Sequence, residues 1–166
     1  MSRTERLKDF TTALSAHGEW INLPRAGRVW RPLGVEADWR PYFHGSWTWT
    51  EDGWFWVTDE PWGWATYHYG RWLFHESYGW VWLPGASWAP AWVAWRWSDE
   101  VIGWAPLPPA GPTFAAFWTF VPAARFVGER ADEAALPQAR VPALLLKTRS
   151  ASARASAPRV AVSRRG

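Results

Sequence analysis

Cysteine is absent from this chain of 166 residues, and methionine occurs once. Without cysteine there are no disulfides, no thiolate metal ligands and no cysteine nucleophile. Long apolar runs are missing too: no stretch of about 18 apolar residues exists, so no membrane-spanning helix is expected. The opening MSRTERLKDF lacks the apolar core of a secretory signal. Neither GxSxG nor HExxH occurs, nor do the P-loop and dinucleotide fingerprints, and the expectation is that the protein is not an enzyme. Four histidines, His17, His44, His68 and His75, show no tight ligand spacing. His68 and His75 could approach across a hairpin, but no metal and no cofactor are expected. His68 is read instead as packed among Tyr67, Tyr69 and Trp72, with its ring nitrogens hydrogen-bonded.

What the chain holds in abundance is tryptophan: 18 Trp, with 8 Phe and 4 Tyr. All the tryptophans fall between Trp20 and Trp118, and 14 Pro and 13 Gly accompany the aromatic residues. Short strands punctuated by turns fit that mixture, and long helices do not. Charge is segregated. From Ala134 onward there are seven basic residues and no acid, whereas residues 1–133 hold eleven basic and fifteen acidic residues. A slightly acidic aromatic body therefore precedes a basic tail.

Ser2 to Ala16 reads as a short helix. Leu7, Phe10 and Leu14 recur at helical spacing, and Ser2 with Glu5 has the form of a capping box. EWINL and RVWRP follow as a hairpin, its second strand ended or placed at an edge by Pro32. An internal repeat comes next. Tyr42, Gly45 and Trp47 recur 25 positions on as Tyr67, Gly70 and Trp72; Gly53, Trp54, Trp56 and Trp62 recur 26 positions on as Gly79, Trp80, Trp82 and Trp88. A weaker third copy carries Trp97 and the Gly103-Trp104 pair. Each copy is expected to form one hairpin. Trp47 would oppose Trp56 and Trp49 would oppose Trp54; Trp72 would oppose Trp82 and Phe74 would oppose Trp80. The returning strands WFWV and WVWL, apolar on both faces, are expected to be central.

Beyond the repeats, APLPPAGP is a turn-rich link, TFAAFWTFVP reads as one strand, Glu129–Leu136 as a helical turn and VPALLLKT as a final strand. The expected fold is all-β: antiparallel hairpin repeats forming a curved sheet or small open barrel, with the short N-terminal helix covering one face. The expected organisation is one domain over residues 1–148, with the helix at about 2–16, hairpin repeats at about 19–105 and terminal strands at about 113–148. A basic, flexible tail is expected over 149–166.

Most of the indoles are expected to form the core, and a minority to stay exposed and bind. The densest motif, PWGWATYHYGRW, offers Trp62, Trp64, Tyr69, Arg71 and Trp72 as ligand-stacking candidates, with Arg71 placed to stack on an indole. Acidic pairs at Glu51-Asp52, Asp59-Glu60 and Asp99-Glu100 resemble the carboxylate pairs of glycosidases, but they recur at the turns of the repeat and read as turn chemistry.

The runs WRPYFHGSWTWTEDGWFWVTDEPWGWATYHYGRW, GWVWLPGASWAPAWVAWR and GWAPLPP resemble a Trp-rich bacterial family of unknown function with YXWGXW-type repeats. The resemblance covers roughly Phe10 to Arg149 and implies an exported or envelope protein, with no activity to carry over. The absence of a visible signal leaves a cytoplasmic location as the alternative. The expected function is a non-catalytic binding or structural module of the envelope, engaging glycan or a protein partner through exposed Trp and Tyr. The alternative is a scaffolding subunit of a larger assembly with no small ligand. The basic tail suits an anionic surface. Nucleic acid is not an expected partner, because aromatic and basic residues are segregated along the chain.

Overall fold

A computed structural model describes residues 2–151. Helix α1, Arg3–Leu14, begins at a complete capping box: Ser2 Oγ accepts from Glu5 N at 3.2 Å, and Ser2 N donates to Glu5 Oε2 at 2.7 Å. Phe10 and Leu14 are buried against the strands. The carbonyls that end a helix have no partner within it, and here indoles supply two of them. Trp30 Nε1 donates to Leu14 O at 2.9 Å and Trp20 Nε1 to Thr11 O at 3.3 Å. The helix is therefore anchored by the side chains it covers.

The protein is mostly β, with ten strands among the described residues. Strands β1 (Gly18–Leu23), β2 (Gly27–Pro32), β3 (Ser46–Thr50) and β4 (Gly53–Val57) form the first two hairpins. After helix α2, Gly63–Thr66, come β5 (Arg71–His75), β6 (Gly79–Leu83), β7 (Val93–Trp97) and β8 (Val101–Pro106), two hairpins more. Strand β9 (Thr119–Pro122) and the two-residue β10 (Arg149–Ser150) complete the set. The register follows the sequence: Trp47 faces Trp56, Trp49 faces Trp54, Trp72 faces Trp82 and Phe74 faces Trp80.

The strands lie in three antiparallel sheets, ordered β1-β2-β6-β5, β10-β7-β8-β9 and β3-β4, and these do not close into a barrel. Strand β6 is central, as its two apolar faces suggest. Strand β4 is not, because loops occupy the free edges of its hairpin. Pro90 O accepts from Trp56 N at 3.2 Å, Val127 bridges Trp47 in parallel, and Gly128 N donates to Trp47 O at 3.0 Å. Those loops satisfy backbone groups that a neighbouring strand would otherwise have used.

One register motif runs through all four hairpins. Trp20 faces Trp30, Trp47 faces Trp56, Trp72 faces Trp82 and Trp95 faces Trp104. The return-strand member of each pair is fully buried. In three hairpins that indole lies on a glycine of the outgoing chain. A Cβ at Gly18 would sit 2.6 Å from the Trp30 ring, one at Gly45 2.8 Å from Trp56, and one at Gly70 2.9 Å from Trp82 Nε1. The first hairpin thus shares the geometry of the repeat although its sequence matches it less. Trp47 occupies the centre of the core, with ring centroids 5.0 Å from Trp56, 4.7 Å from Trp95 and 5.5 Å from Trp104.

The C-terminal part departs from expectation in three places. The segment TFAAFWTFVP is not one strand: a 3-10 turn at Ala115–Phe117 precedes β9, with Phe117 N donating to Phe114 O at 2.9 Å. VPALLLKT is not a strand either. It forms helix α4, Val141–Lys147, because Pro142 sits in the first turn where no N–H donor is required, and Val141, Leu144 and Thr148 recur on one buried face. Arg96 closes that helix, donating from Nη2 to Leu145 O at 2.9 Å and from Nε to Thr148 Oγ1 at 3.0 Å. Finally, the sheet runs past the expected boundary at residue 149. Arg149 pairs with Trp97, Ser150 with Arg96, and Ala151 N donates to Trp95 O at 3.2 Å. The rest of the expected tail, 152–166, lies outside the described residues. The helical turn expected at 129–136 is α3, Ala131–Ala134.

Candidate binding cleft

The five residues of PWGWATYHYGRW singled out above do not assemble into one platform. Around the single turn of α2, side chains two positions apart diverge. Trp62 therefore points inward, its ring 5.7 Å from Trp30, while Trp64 points outward and is 50% exposed. Trp72 is only 2% exposed, and its Nε1 donates to Thr66 O at 2.9 Å. Both Trp62 and Trp72 are core residues with no face open to a ligand. Trp64 and Tyr69 flank Phe10 of α1, at 5.8 and 5.2 Å between ring centroids. Arg71 does stack on an indole: its guanidinium carbon lies 4.3 Å from the Trp92 ring centroid.

Exposed aromatic rings gather instead at the tip of the β5–β6 hairpin. Phe74 is 51% exposed although it faces Trp80 across the strands, with centroids 5.5 Å apart and planes at 75°. Trp80 in turn meets Phe117 edge-on at 4.7 Å. The Phe74–Trp80 pair forms a ridge between two depressions. A cleft of about 480 Å³ lies between this ridge and the end of β2 with the 33–40 segment that follows it, with Arg31, Glu36, Asp38, Arg40 and Tyr78 supplying its polar groups. A smaller cleft of about 260 Å³ lies on the other side, lined by Phe114, Phe117 and the prolines of the APLPPAGP link, among them Pro106, Pro108 and Pro112. The larger volume falls in the range typical of small-molecule sites.

The charges of the larger cleft differ in their surroundings. Arg31 is paired with Glu19 at 2.7 Å and lies over the Tyr78 ring at 5.7 Å. Glu36 and Asp38 are exposed to solvent. Arg40 is half-buried: Nε donates to Thr119 Oγ1 at 3.1 Å, and the guanidinium carbon is 4.0 Å from the Phe43 ring centroid. Desolvation pulls its pKa down to about 10, partly offset by the charge of Asp38.

The remaining titratable groups lie outside the lining of this cleft or have structural roles. Glu51, Asp52, Asp99 and Glu100 are exposed in hairpin turns. Glu60 departs from the turn reading of its pair, because its carboxylate is drawn into the interior. It accepts from Tyr67 Oη in a very short hydrogen bond and from Trp39 Nε1 at 2.8 Å. Burial raises its pKa despite these donors. Tyr42 extends the network: Oη donates to Tyr67 O at 2.9 Å and accepts from Trp92 N at 3.1 Å. His68 does not pack among Tyr67, Tyr69 and Trp72 as expected but stacks on Phe55 at 4.3 Å, with Nδ1 3.1 Å from Ala89 O. Burial lowers its pKa. Among the described residues no group of three His, Asp or Glu is arranged to hold a metal ion, and no helix is long and apolar enough to cross a membrane.

Sequence reasoning missed Arg31, Arg40, Phe74, Tyr78 and Trp80 as members of one cleft. The Phe74–Trp80 pairing was legible as a register pair, but the 33–40 segment has no periodicity from which its packing could be read. A family model described as a family of unknown function (DUF6600) matches residues 11–111, from α1 through β8 to the proline-rich link. No curated protein and no solved structure matches the chain.

Proposed function

Because the chain belongs to this family of unknown function (DUF6600), whose description assigns no activity, we propose from the geometry that it is a non-catalytic binding module that engages glycan. The carrying observation is the cleft beside Phe74, Tyr78 and Trp80, where the exposed Phe74 and Tyr78 rings stand next to guanidinium and carboxylate groups. A sugar ring has apolar C–H faces and a rim of hydroxyls, and a site for it needs flat apolar surface beside a few polar groups that fix orientation. The exposed carboxylates Glu36 and Asp38 are acceptors for hydroxyl donors, and Arg31 and Arg40 are donors to ring and hydroxyl oxygens. A role in the bacterial cell envelope is supported by the sequence resemblance alone.

Titration of the protein's Trp fluorescence with soluble polysaccharides tests this reading. A saturable change that is weakened about tenfold or more by Phe74→Ala, without release of reducing ends, is the expected result. Hydrolysis of the polysaccharide, or a response insensitive to Phe74→Ala, would overturn it.

A second reading, a scaffolding subunit of a larger assembly, is favoured by rings exposed away from the cleft: Trp49 on β3, Trp64 on α2 and Trp88 in the loop after β6. Exposed aromatics of this kind are typical anchors of protein interfaces. Retention of one defined protein on tagged bait, lost in Trp49→Ala or Trp64→Ala and kept in Phe74→Ala, would favour it over the glycan module.

A further inference from the structure

The larger cleft contains a cation that makes no ion pair among the described residues. Arg40 lines it, and among the described residues no carboxylate oxygen comes within 4.0 Å of its guanidinium. Its Nε is held by Thr119 Oγ1 at 3.1 Å and its plane by the Phe43 ring, while neither Nη makes a hydrogen bond to a described residue. Arg31, the other cation of the cleft, is already matched by Glu19 at 2.7 Å. The acids facing Arg40 from the same segment, Glu36 and Asp38, are exposed and hydrated. Asp38 acts on Arg40 only through space, and the guanidinium still loses enough hydration for its pKa to fall to about 10. Leaving a desolvated charge unpaired is costly, and the cost falls when an anion arrives to pair with it.

We infer that the ligand of this cleft bears a carboxylate: an acidic, uronic-type sugar whose carboxylate takes the free Nη groups of Arg40 while its ring faces rest on Phe74 and Tyr78. The inference rests on the glycan reading and narrows it to one class of sugar. The geometry suits it in three ways. A guanidinium fixed at Nε and by an aromatic plane presents its remaining N–H donors in one orientation, which is the arrangement that recognises a carboxylate through two parallel hydrogen bonds. The exposed rings Phe74 and Tyr78 provide apolar surface for the C–H faces. Glu36 and Asp38 stand in water at the same cleft, where they accept from hydroxyls and disfavour a polyanion bound in the wrong register.

Calorimetric titration of the full chain with a glucose tetramer and a galacturonate tetramer, at low and at high salt, tests the inference. The galacturonate tetramer should bind about tenfold tighter or better than the neutral one, as a charge-assisted hydrogen-bonded pair implies, and high salt should reduce that preference. Arg40→Met should abolish the preference, bringing the two tetramers to the same affinity whatever it does to the neutral one. Arg40→Lys should restore part of it, because an ammonium supplies charge without the fork. If Arg40→Met fails to fold, the wild-type ratio of the two tetramers and its salt dependence decide the matter. Equal affinity for both tetramers would overturn the inference and leave the glycan reading standing. Binding of neither would overturn both. Preference for the acidic tetramer that survives in Arg40→Met would place its carboxylate elsewhere and overturn the inference.

Discussion

Trp30 lies directly opposite Trp82, and this one register pair joins β2 to β6, uniting the first hairpin and the third in a single sheet. Both rings are fully buried and both N–H groups are used: Trp30 Nε1 on Leu14 O at 2.9 Å, Trp82 Nε1 on Tyr69 O at 2.8 Å. Truncation at either position removes a large apolar volume and one hydrogen bond to a backbone carbonyl. Trp30→Ala should cost about 3–5 kcal/mol and detach the end of α1. Trp49→Ala, at a ring 54% exposed whose main contact is Trp54 at 5.1 Å, should cost about 1 kcal/mol. Chemical denaturation of the two variants measures the difference, and equal losses would contradict the division of the indoles into core and surface.

The close approach of indole to glycine gives a second test, because the two roles of glycine separate at two positions. Gly45 needs no unusual backbone angle, yet a Cβ there would lie 2.2 Å from Val57 O and 2.8 Å from the Trp56 ring. Gly79 has φ +71° and nothing within 4 Å of the same atom. Gly45→Ala should therefore destabilise through overlap with backbone, by about 3 kcal/mol or more. Gly79→Ala should cost about 1–2 kcal/mol through the left-handed conformation alone. A Gly79 variant more harmful than a Gly45 variant would mean that turn conformation, not the seating of the ring, fixes the hairpins.

Alternation and turn spacing made the hairpins and their register legible, because a strand with a rank of indoles on one face tolerates no slip of one residue. Trp47 opposite Trp56 follows from the residues between them. How the hairpins associate does not follow from those local rules. The β3–β4 hairpin is edged by Pro90 and Val127, distant positions whose backbone groups carry no mark in the sequence. The same limit moved the candidate site. Trp62, Trp64 and Trp72 are alike in composition, and only tertiary packing makes Trp64 a surface residue and the other two core. VPALLLKT is ambiguous in the sequence because a short apolar run fits either a strand or a helix. Its Pro142 was the signal available for helix.

Glu60 predicts a specific pH dependence. Its pKa in the folded protein is raised above the ordinary carboxylate value, with burial as the first cause and the charge-stabilising donors Tyr67 and Trp39 opposing it. A carboxyl group whose folded pKa exceeds its unfolded pKa favours folding while it is protonated. That contribution is complete below the unfolded pKa of about 4.5 and is lost as pH rises through the folded value. The stability of the wild type relative to Glu60→Gln should therefore fall as pH is raised from about 4.5 into the range of the folded pKa, then level off. Unfolding free energies measured for both proteins across that range check this. Parallel curves would show that Glu60 titrates as an ordinary exposed acid.

Arg96 should hold the end of the described chain in place. From the half-buried strand β7 its guanidinium reaches the carboxyl end of α4, donating to Leu145 O at 2.9 Å, Thr148 O at 2.5 Å and Thr148 Oγ1 at 3.0 Å. Helix α4 is short and ends without glycine, so these bonds replace the usual closure of its last carbonyls. The same residue faces Ser150 in the register of β7 with β10. Arg96→Met keeps the aliphatic stem and removes all three hydrogen bonds. Bonds to a charged donor contribute about 1.5–3 kcal/mol, so the loss should reach about 2 kcal/mol or more, and it should be local. Amide exchange should accelerate from Val141 through Ala151, while the amides of β5 and β6, which share no sheet with Arg96, keep their protection. Uniform loss of protection across both sheets would mean that α4 is part of the cooperative core and not an element latched to it.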